Sequence, residues 1–247
     1  MKKFIKIFIF SFIILNSSFS INLWLDLETG LVFPGYNDVK IPADTGTKFS
    51  LKDDIKPNEK LFYRIQTGIN LNKKHSIFIL IAPLTINGEG TLKNSINFTG
   101  VNFPIGAEVK SKFVFNSYRL TYLYSFYNED DLRIGAGITA KIRDAEITLT
   151  DNLGNKGTKK NTGFVPLIHL RLEWFTLNKI SLLIEGDGLI APQGRAEDFL
   201  FGFNYYINKD LNLKIGYRVL EGGSDKGGNV YTFSMFNYLI IGLNFRF

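Results

Sequence analysis

The segment YTFSMFNYLIIGLNFRF, residues 231–247, reads with a period of two, most clearly at its two ends. One face carries Tyr231, Phe233, Met235, Leu239, Ile241, Leu243, Phe245 and Phe247, and the other carries Thr232, Ser234, Gly242, Asn244 and Arg246. A period of two is that of a β-strand. Its apolar and polar faces ask for different solvents, and the apolar one suits hydrocarbon. An open sheet edge in hydrocarbon would leave backbone N–H and C=O groups unpaired, each at a cost of several kcal/mol, so the strand belongs to a closed barrel.

A chain that closes on Phe, with Ile241, Leu243 and Phe245 at alternate positions before it, resembles the terminal signal that bacterial outer-membrane barrels present to their assembly machinery. The other end agrees. Met1-Lys2-Lys3 is a basic start, residues 4–15 are apolar apart from Lys6 and Ser11, and 16–20 are mostly small and polar. This is the pattern of an export signal cut between Ser20 and Ile21, leaving 21–247 as one barrel domain. The apolar run is short for a bilayer of roughly 30 Å, and no later run approaches about 20 apolar residues. With no cysteine, a lipoprotein anchor, a disulfide framework and a thiolate metal site are all excluded.

Aromatics make up 15% of the chain, yet mean hydropathy is only +0.03, the average an alternating wall produces. Of the net charge of +6, three come from Lys2, Lys3 and Lys6, which leaves +3 on the mature chain. That surplus, without a Lys/Arg run, does not describe a nucleic-acid binder.

Alternating runs predict an all-β, antiparallel up-and-down barrel of about ten strands, near 22–33, 60–72, 75–86, 110–127, 131–147, 163–177, 179–190, 198–208, 210–220 and 231–247. Four connections are tight and rich in Asn or Asp, at 72–74, 128–130, 178–179 and 208–210. The other five, 34–59, 87–109, 148–162, 191–197 and 221–230, are longer and polar or Gly-rich. Short turns opposite long loops are the asymmetry of a transmembrane barrel with periplasmic turns. An even strand number puts both termini on that side.

The fifth strand shows the facing most clearly. Leu132, Ile134, Ala136, Ile138, Ala140 and Ile142 look outward, and Arg133, Gly135, Gly137, Thr139, Lys141 and Arg143 look inward. Tyr122, Tyr124, Phe126 and Trp174 fall near the tight turns, where an interfacial aromatic girdle belongs. A soluble lipocalin-like barrel would invert the facing and keep the period. Ten aromatic-rich strands and the terminal Phe favour lipid outside.

The expected lumen then holds Asp26, Glu28, Arg64, Gln66, Arg119, Lys141, Arg143, His169, Arg171, Glu173, Glu185, Asp187, Lys214, Arg218 and Arg246. Buried charges survive when paired, so a ladder of ion pairs is expected across it. About eight strands leave room only for side chains and sixteen or more leave an aqueous channel, so ten strands filled with charge predict a filled or very narrow lumen.

Enzymatic outer-membrane barrels include the ten-stranded omptin proteases and smaller lipid A deacylases and acyltransferases. The chain has only His75, expected as a turn residue, and His169, expected as a hydrogen-bonded lumen residue. Neither has a Ser or Thr two residues away on its own face, and neither is expected at the extracellular rim, so no nucleophile–base arrangement is recognisable. A rim site is the other candidate: Arg195, Glu197 and Asp198, near the seventh and eighth strands, with Glu221 of the next hairpin. Those charges also suit loops held over the lumen by neutralised pairs. Gly222-Gly223-Ser224-Asp225 is a single copy of a calcium-repeat-like pattern, and Asn97-Phe98-Thr99 is a glycosylation acceptor without meaning in a bacterial chain.

Phe49, Phe98, Val101, Phe103 and Ile105 are unusual in solvated loops and are expected to pack over the barrel mouth. These stretches, with residues 37–47, resemble uncharacterised outer-membrane barrel proteins, a resemblance that implies a fold and a location in the outer membrane of a Gram-negative bacterium. The expected role is structural or that of a narrow selective pore. A hydrolase with a rim acidic site and a loop-mediated adhesin or ligand-binding barrel are the alternatives. Outer-membrane lipids and the barrel-assembly machinery are the expected partners of a monomer, with no cofactor, metal or nucleic acid.

Overall fold

A computed structural model describes residues 22–58, 60–192, 194–226 and 229–247. The export signal expected at 1–20 lies outside the described residues. Ten long antiparallel strands close on themselves: β1 (Asn22–Lys40), β2 (Lys60–Asn70), β3 (His75–Ala82, resumed as Thr85–Thr91), β4 (Glu108–Asn128), β5 (Leu132–Asp151), β6 (Lys156–Leu177), β7 (Ile180–Ala191), β8 (Gly194–Tyr206), β9 (Leu211–Lys226) and β10 (Val230–Arg246). Each pairs with the next, and β1 with β10, where Trp24 lies opposite Arg246 and Leu31 opposite Leu239. Gly30, at φ +142°, lets these two strands approach: a Cβ there would stand 1.9 Å from the Leu239 carbonyl oxygen.

The outer wall is an apolar belt. Ile79, Leu120, Ile138, Leu170, Phe203, Ile215 and Ile241 are all exposed, Ile138 by 68%. A continuous belt of this kind far exceeds the patches of a few hundred Å² that soluble monomers expose, so it faces hydrocarbon. Tyr122, Tyr124, Phe126 and Trp174 are exposed on this wall toward the tight turns, as an interfacial girdle requires.

Three of the five expected long loops are largely strand. β5 runs to Asp151 and β6 starts at Lys156; β7 and β8 are separated only by 192–193; β9 reaches Lys226 and β10 begins at Val230. Residues 156–162, KGTKKNT, contain no large apolar side chain, yet they pair with 144–150 in unbroken register. Above the bilayer a strand no longer needs an apolar outer face, and the alternation that marks it in the sequence disappears.

The two remaining loops turn inward. Phe49–Ser50 pairs with β1, Lys56–Pro57 pairs with the end of β3, and Ile96–Phe98 forms a hairpin with Val101–Phe103. The hairpin turns through Thr99 and Gly100, both at positive φ, which matches the twist of two-residue turns. Phe49, Ile55, Phe98 and Phe103 then pack with Val109, Phe113 and Leu149 from the inner faces of β4 and β5, and with Phe236, Tyr238 and Ile240 of β10. Phe98 and Phe103 are 0% exposed, Val101 packs against the same cluster, and Ile105 stays exposed. The inner face of β10, polar at 232, 234, 242, 244 and 246, is apolar between them because it lines this upper core.

Candidate functional site: the charged lumen

Below the apolar core, inward positions of seven strands bring a set of charges together. β1 supplies Asp26 and Glu28, β2 Arg64, β4 Arg119, β6 His169, β7 Asp187, β8 Asp198, and β9 Lys214 and Arg218. Each stands on the inward parity of its strand, so the pleat itself aims the side chains at one another.

Asp198 is the hub. Its Oδ1 accepts from Arg218 Nη1 at 2.8 Å, and its Oδ2 from Arg119 Nη2 at 2.5 Å and Arg64 Nη2 at 3.2 Å. Glu28 takes the other side of two of these guanidiniums, with Arg218 at 3.1 Å and Arg64 Nε at 3.3 Å, and also receives Lys214 at 2.8 Å. Lys214 reaches on to Asp26 at 2.6 Å. This corrects the expectation that Asp198 belongs to the rim: the alternation of β8 continues back from Asn204 through Gly202 and Leu200 to Asp198, and puts its carboxylate inside.

Arg119 also joins the hub to a second centre. Its Nη1 donates to Asp187 Oδ2 at 2.6 Å and its Nε to Ser117 at 2.9 Å. Asp187 Oδ1 accepts from Thr139 at 2.6 Å and lies 3.0 Å from His169 Nδ1. His169 Nε2 is buried and has no hydrogen-bond partner among the described residues. It borders a gap of about 10 Å³ lined by Gln66, Phe78, Thr121 and Arg218, room for about one water molecule. The imidazole therefore has an orienting carboxylate. The hydroxyls nearby, Thr139 and Thr121, are bound to Asp187 and to each other, so neither is presented to it as a nucleophile.

A third cluster lies toward the tight-turn end. Arg171 Nη1 meets Glu185 at 2.7 Å and its Nη2 meets Glu173 at 3.5 Å, while Glu173 Oε1 also accepts from Ser181, Asn204 and Tyr206. Arg246 stacks over Tyr206, and Trp24, Phe78 and Leu123 form a small apolar cluster beside it. The partners Ser181, Asn204 and Tyr206 share one inward face with Glu173, a parity signal that sequence reading did not follow across the β7–β8 hairpin.

Two of the expected network members stay outside it. Lys141 and Arg143, both inward on β5, have no described carboxylate within ion-pair distance; Lys141 lies over the Phe115 ring and Arg143 donates to Asn161.

At the rim, Arg195 and Glu221 form a two-point pair on the outer side of the wall, at 2.7 and 2.8 Å, with the Tyr36 hydroxyl on the same carboxylate. Hydrogen bonding to Glu221 raises the Arg195 guanidinium further above its ordinary value. Burial works to raise the Glu221 carboxyl, but the hydrogen bonds from Arg195 and Tyr36 outweigh it and hold the group below its ordinary range. Glu197 is half-buried and takes no part in the pair. His75 lies at a tight turn, hydrogen-bonded to the Tyr122 hydroxyl at 2.7 Å. No group of three potential metal-ligating side chains that could hold an ion occurs among the described residues.

A closed antiparallel barrel with a lipid-facing wall, a charge-filled interior and tight turns at one end defines the class: this is a transmembrane barrel of the outer-membrane type, and its place is the outer membrane. Among solved structures, the outer membrane protease OmpT of Escherichia coli superposes with a TM-score of 0.56 at 11% identity, over 92% of this chain and 97% of that one. The transport unit of the autotransporter AIDA-I of Escherichia coli gives 0.49 at 9% identity (94% and 92% covered), and the attachment invasion locus protein Ail of Yersinia pestis 0.43 at 8% (91% and 99%). The likeness to OmpT is one of fold. No protein-family model matches the chain, and no curated protein matches it in sequence.

Proposed function

We propose that the protein is a non-conducting outer-membrane scaffold that carries a rigid β-sheet extension above the lipid. The observation that carries this reading is the stacking of two fillings in one lumen: the Asp198-centred ion-pair layer, and above it the loop core in which Phe98 and Phe103 are wholly buried. A solute moving along the axis would have to disrupt both. Ion pairs buried at this depth are expensive to separate, because each partner left behind is an uncompensated charge.

In this reading, lipids of the outer membrane surround a monomer, and the terminal alternation Ile241, Leu243, Phe245 and Phe247 is its signal to the barrel-assembly machinery. The hydrolase alternative is disfavoured by its own candidates. Asp198 is engaged by three arginines, Glu221 is engaged by Arg195, and the His169–Asp187 pair faces a gap with room for about one water. Single-channel recording of the purified protein in planar bilayers tests the scaffold reading. Silent membranes are expected from the wild type and from Arg171→Ala. Reproducible unitary openings in the wild type, altered in Arg171→Ala, would replace it with the narrow selective pore.

A further inference from the structure

Four inward bases have no ion pair among the described residues: Arg246 of β10, which stacks over Tyr206, and three that share one strand. Arg133, Lys141 and Arg143 all project inward from β5, and no described carboxylate lies within ion-pair distance of any of them. Arg133 sits over the Phe175 ring toward the tight-turn end. Lys141 is the anomaly: it is 2% exposed, its cross-strand neighbours are Arg119 and Val165, its ammonium lies 5.0 Å from the centre of the Phe115 ring, and Asp187 and Asp198 attract it only from beyond ion-pair distance. The nearby acids are already committed, since Asp187 and Asp198 both bind Arg119. A buried ammonium without a counter-charge is strongly disfavoured.

The next inward residue of β5 is Arg143, about 7 Å further along the strand. Its Nη2 donates to Asn161, while its Nε is buried and unpartnered. Beside this pair the wall is incomplete. The ladder between β6 and β7 ends with Ile168 opposite Gly188; above it Pro166 has no N–H to offer and β7 itself stops at Ala191, so β6 from 156 to 167 is paired only with β5. Opposite Arg143 stands Gly163, where an added Cβ would find only Arg143 Nη2 at 3.4 Å and Asn161 Oδ1 at 3.6 Å. Outside this seam lie Phe164, Ile168 and Ile190, all exposed on the lipid-facing wall.

We propose that Lys141 and Arg143 form a binding site for a phosphate-type oxyanion, entered sideways past the free edge of β6. The anion would supply the counter-charge that Lys141 lacks and an acceptor for Arg143 Nε. Its source is either the phosphorylated headgroup of an outer-leaflet lipid, whose chains would lie along Phe164, Ile168 and Ile190, or free phosphate. The site does not require conduction along the barrel axis, so it stands apart from the scaffold reading.

The test is calorimetric titration of the purified protein in zwitterionic micelles at low salt, in two arms: inorganic phosphate, and a diphosphorylated glycolipid against its dephosphorylated form. Saturable binding is expected in one arm, weakened at least ten-fold in Lys141→Met and in Arg143→Gln. Saturation by inorganic phosphate identifies a free-ion site; saturation only by the phosphorylated lipid identifies a headgroup site. Lys141→Met removes an unpaired charge and should fold; if it does not, the half-buried Arg143→Gln carries the comparison. No saturable binding in either arm, or binding that both variants retain at wild-type affinity, would overturn the proposal and leave Lys141 as a core residue without a ligand.

Discussion

Asp198 and Arg218 meet at 2.8 Å across neighbouring strands, and the same carboxylate gathers Arg119 and Arg64 from the far side of the barrel. One acid thus ties β8 and β9 to β4 and β2. Asp198→Asn should cost about 3–5 kcal/mol, the penalty of leaving buried charges without their partner. Urea unfolding in lipid vesicles, followed by tryptophan fluorescence, would show it as a lowered midpoint. A change below about 1 kcal/mol would mean that water reaches and screens the hub.

The lipid-facing reading of the wall makes a prediction opposite to that of a soluble barrel. Ile138, on the outer face of β5, is exposed; Ile138→Arg should destabilise the protein in bilayers by about 2–4 kcal/mol if it lies near the midplane. The same change on a water-facing surface would be close to neutral, and that result would reverse the inside and outside assigned here.

Gly30→Ala should impair strand closure. The new Cβ would collide with the Leu239 carbonyl, and its φ of +142° is one that alanine avoids. The expected outcome is a sharply reduced yield of the compact, heat-modifiable form on unboiled gels. Gly154→Ala, also at positive φ but with nothing near its Cβ, isolates the conformational penalty and should do less harm.

Phe103→Ala should open the loop core without opening the ion-pair layer. Loss of a wholly buried aromatic costs about 3–5 kcal/mol, enough to expose 92–107 to limited proteolysis while the membranes stay electrically silent. Conduction in this variant alone would show that the apolar core, and not the charge layer, is the barrier.

The Arg195–Glu221 pair predicts a pH dependence at the rim. The folded-state pKa of Glu221 is below its unfolded value of 4.5, so its contribution is complete above about pH 4.5 and is lost as the pH falls through the folded value. Amide exchange near the tops of β8 and β9 should therefore accelerate on acidification in the wild type, and Glu221→Gln should remove that dependence. Equal acceleration in both would assign it to other groups.

Period-two alternation was enough to expect the barrel, its strand number and the inward parity of β5, because a strand crossing lipid must keep one face apolar. Above the lipid that constraint ends. Residues 156–162 and 221–226 therefore read as loops, and Asp198, at the very start of its expected strand 198–208, was assigned to the rim. The site was half legible for the same reason: Glu28, Arg64, Arg119, Asp187, Lys214 and Arg218 could be assigned to one interior, but nothing along the chain says which meets which.

The sequence by itself determined a closed alternating wall, tight turns at one end and a charged interior, since each follows from local residue pattern and the demand that no backbone group go unpaired in hydrocarbon. Only the tertiary structure decided that Asp198 is the hub, that Phe98 and Phe103 fill the mouth, and that Lys141 is left without an acid. Those outcomes depend on how far each strand is shifted against its neighbours as the sheet curls shut, a sum of registers around ten strands that no single segment encodes.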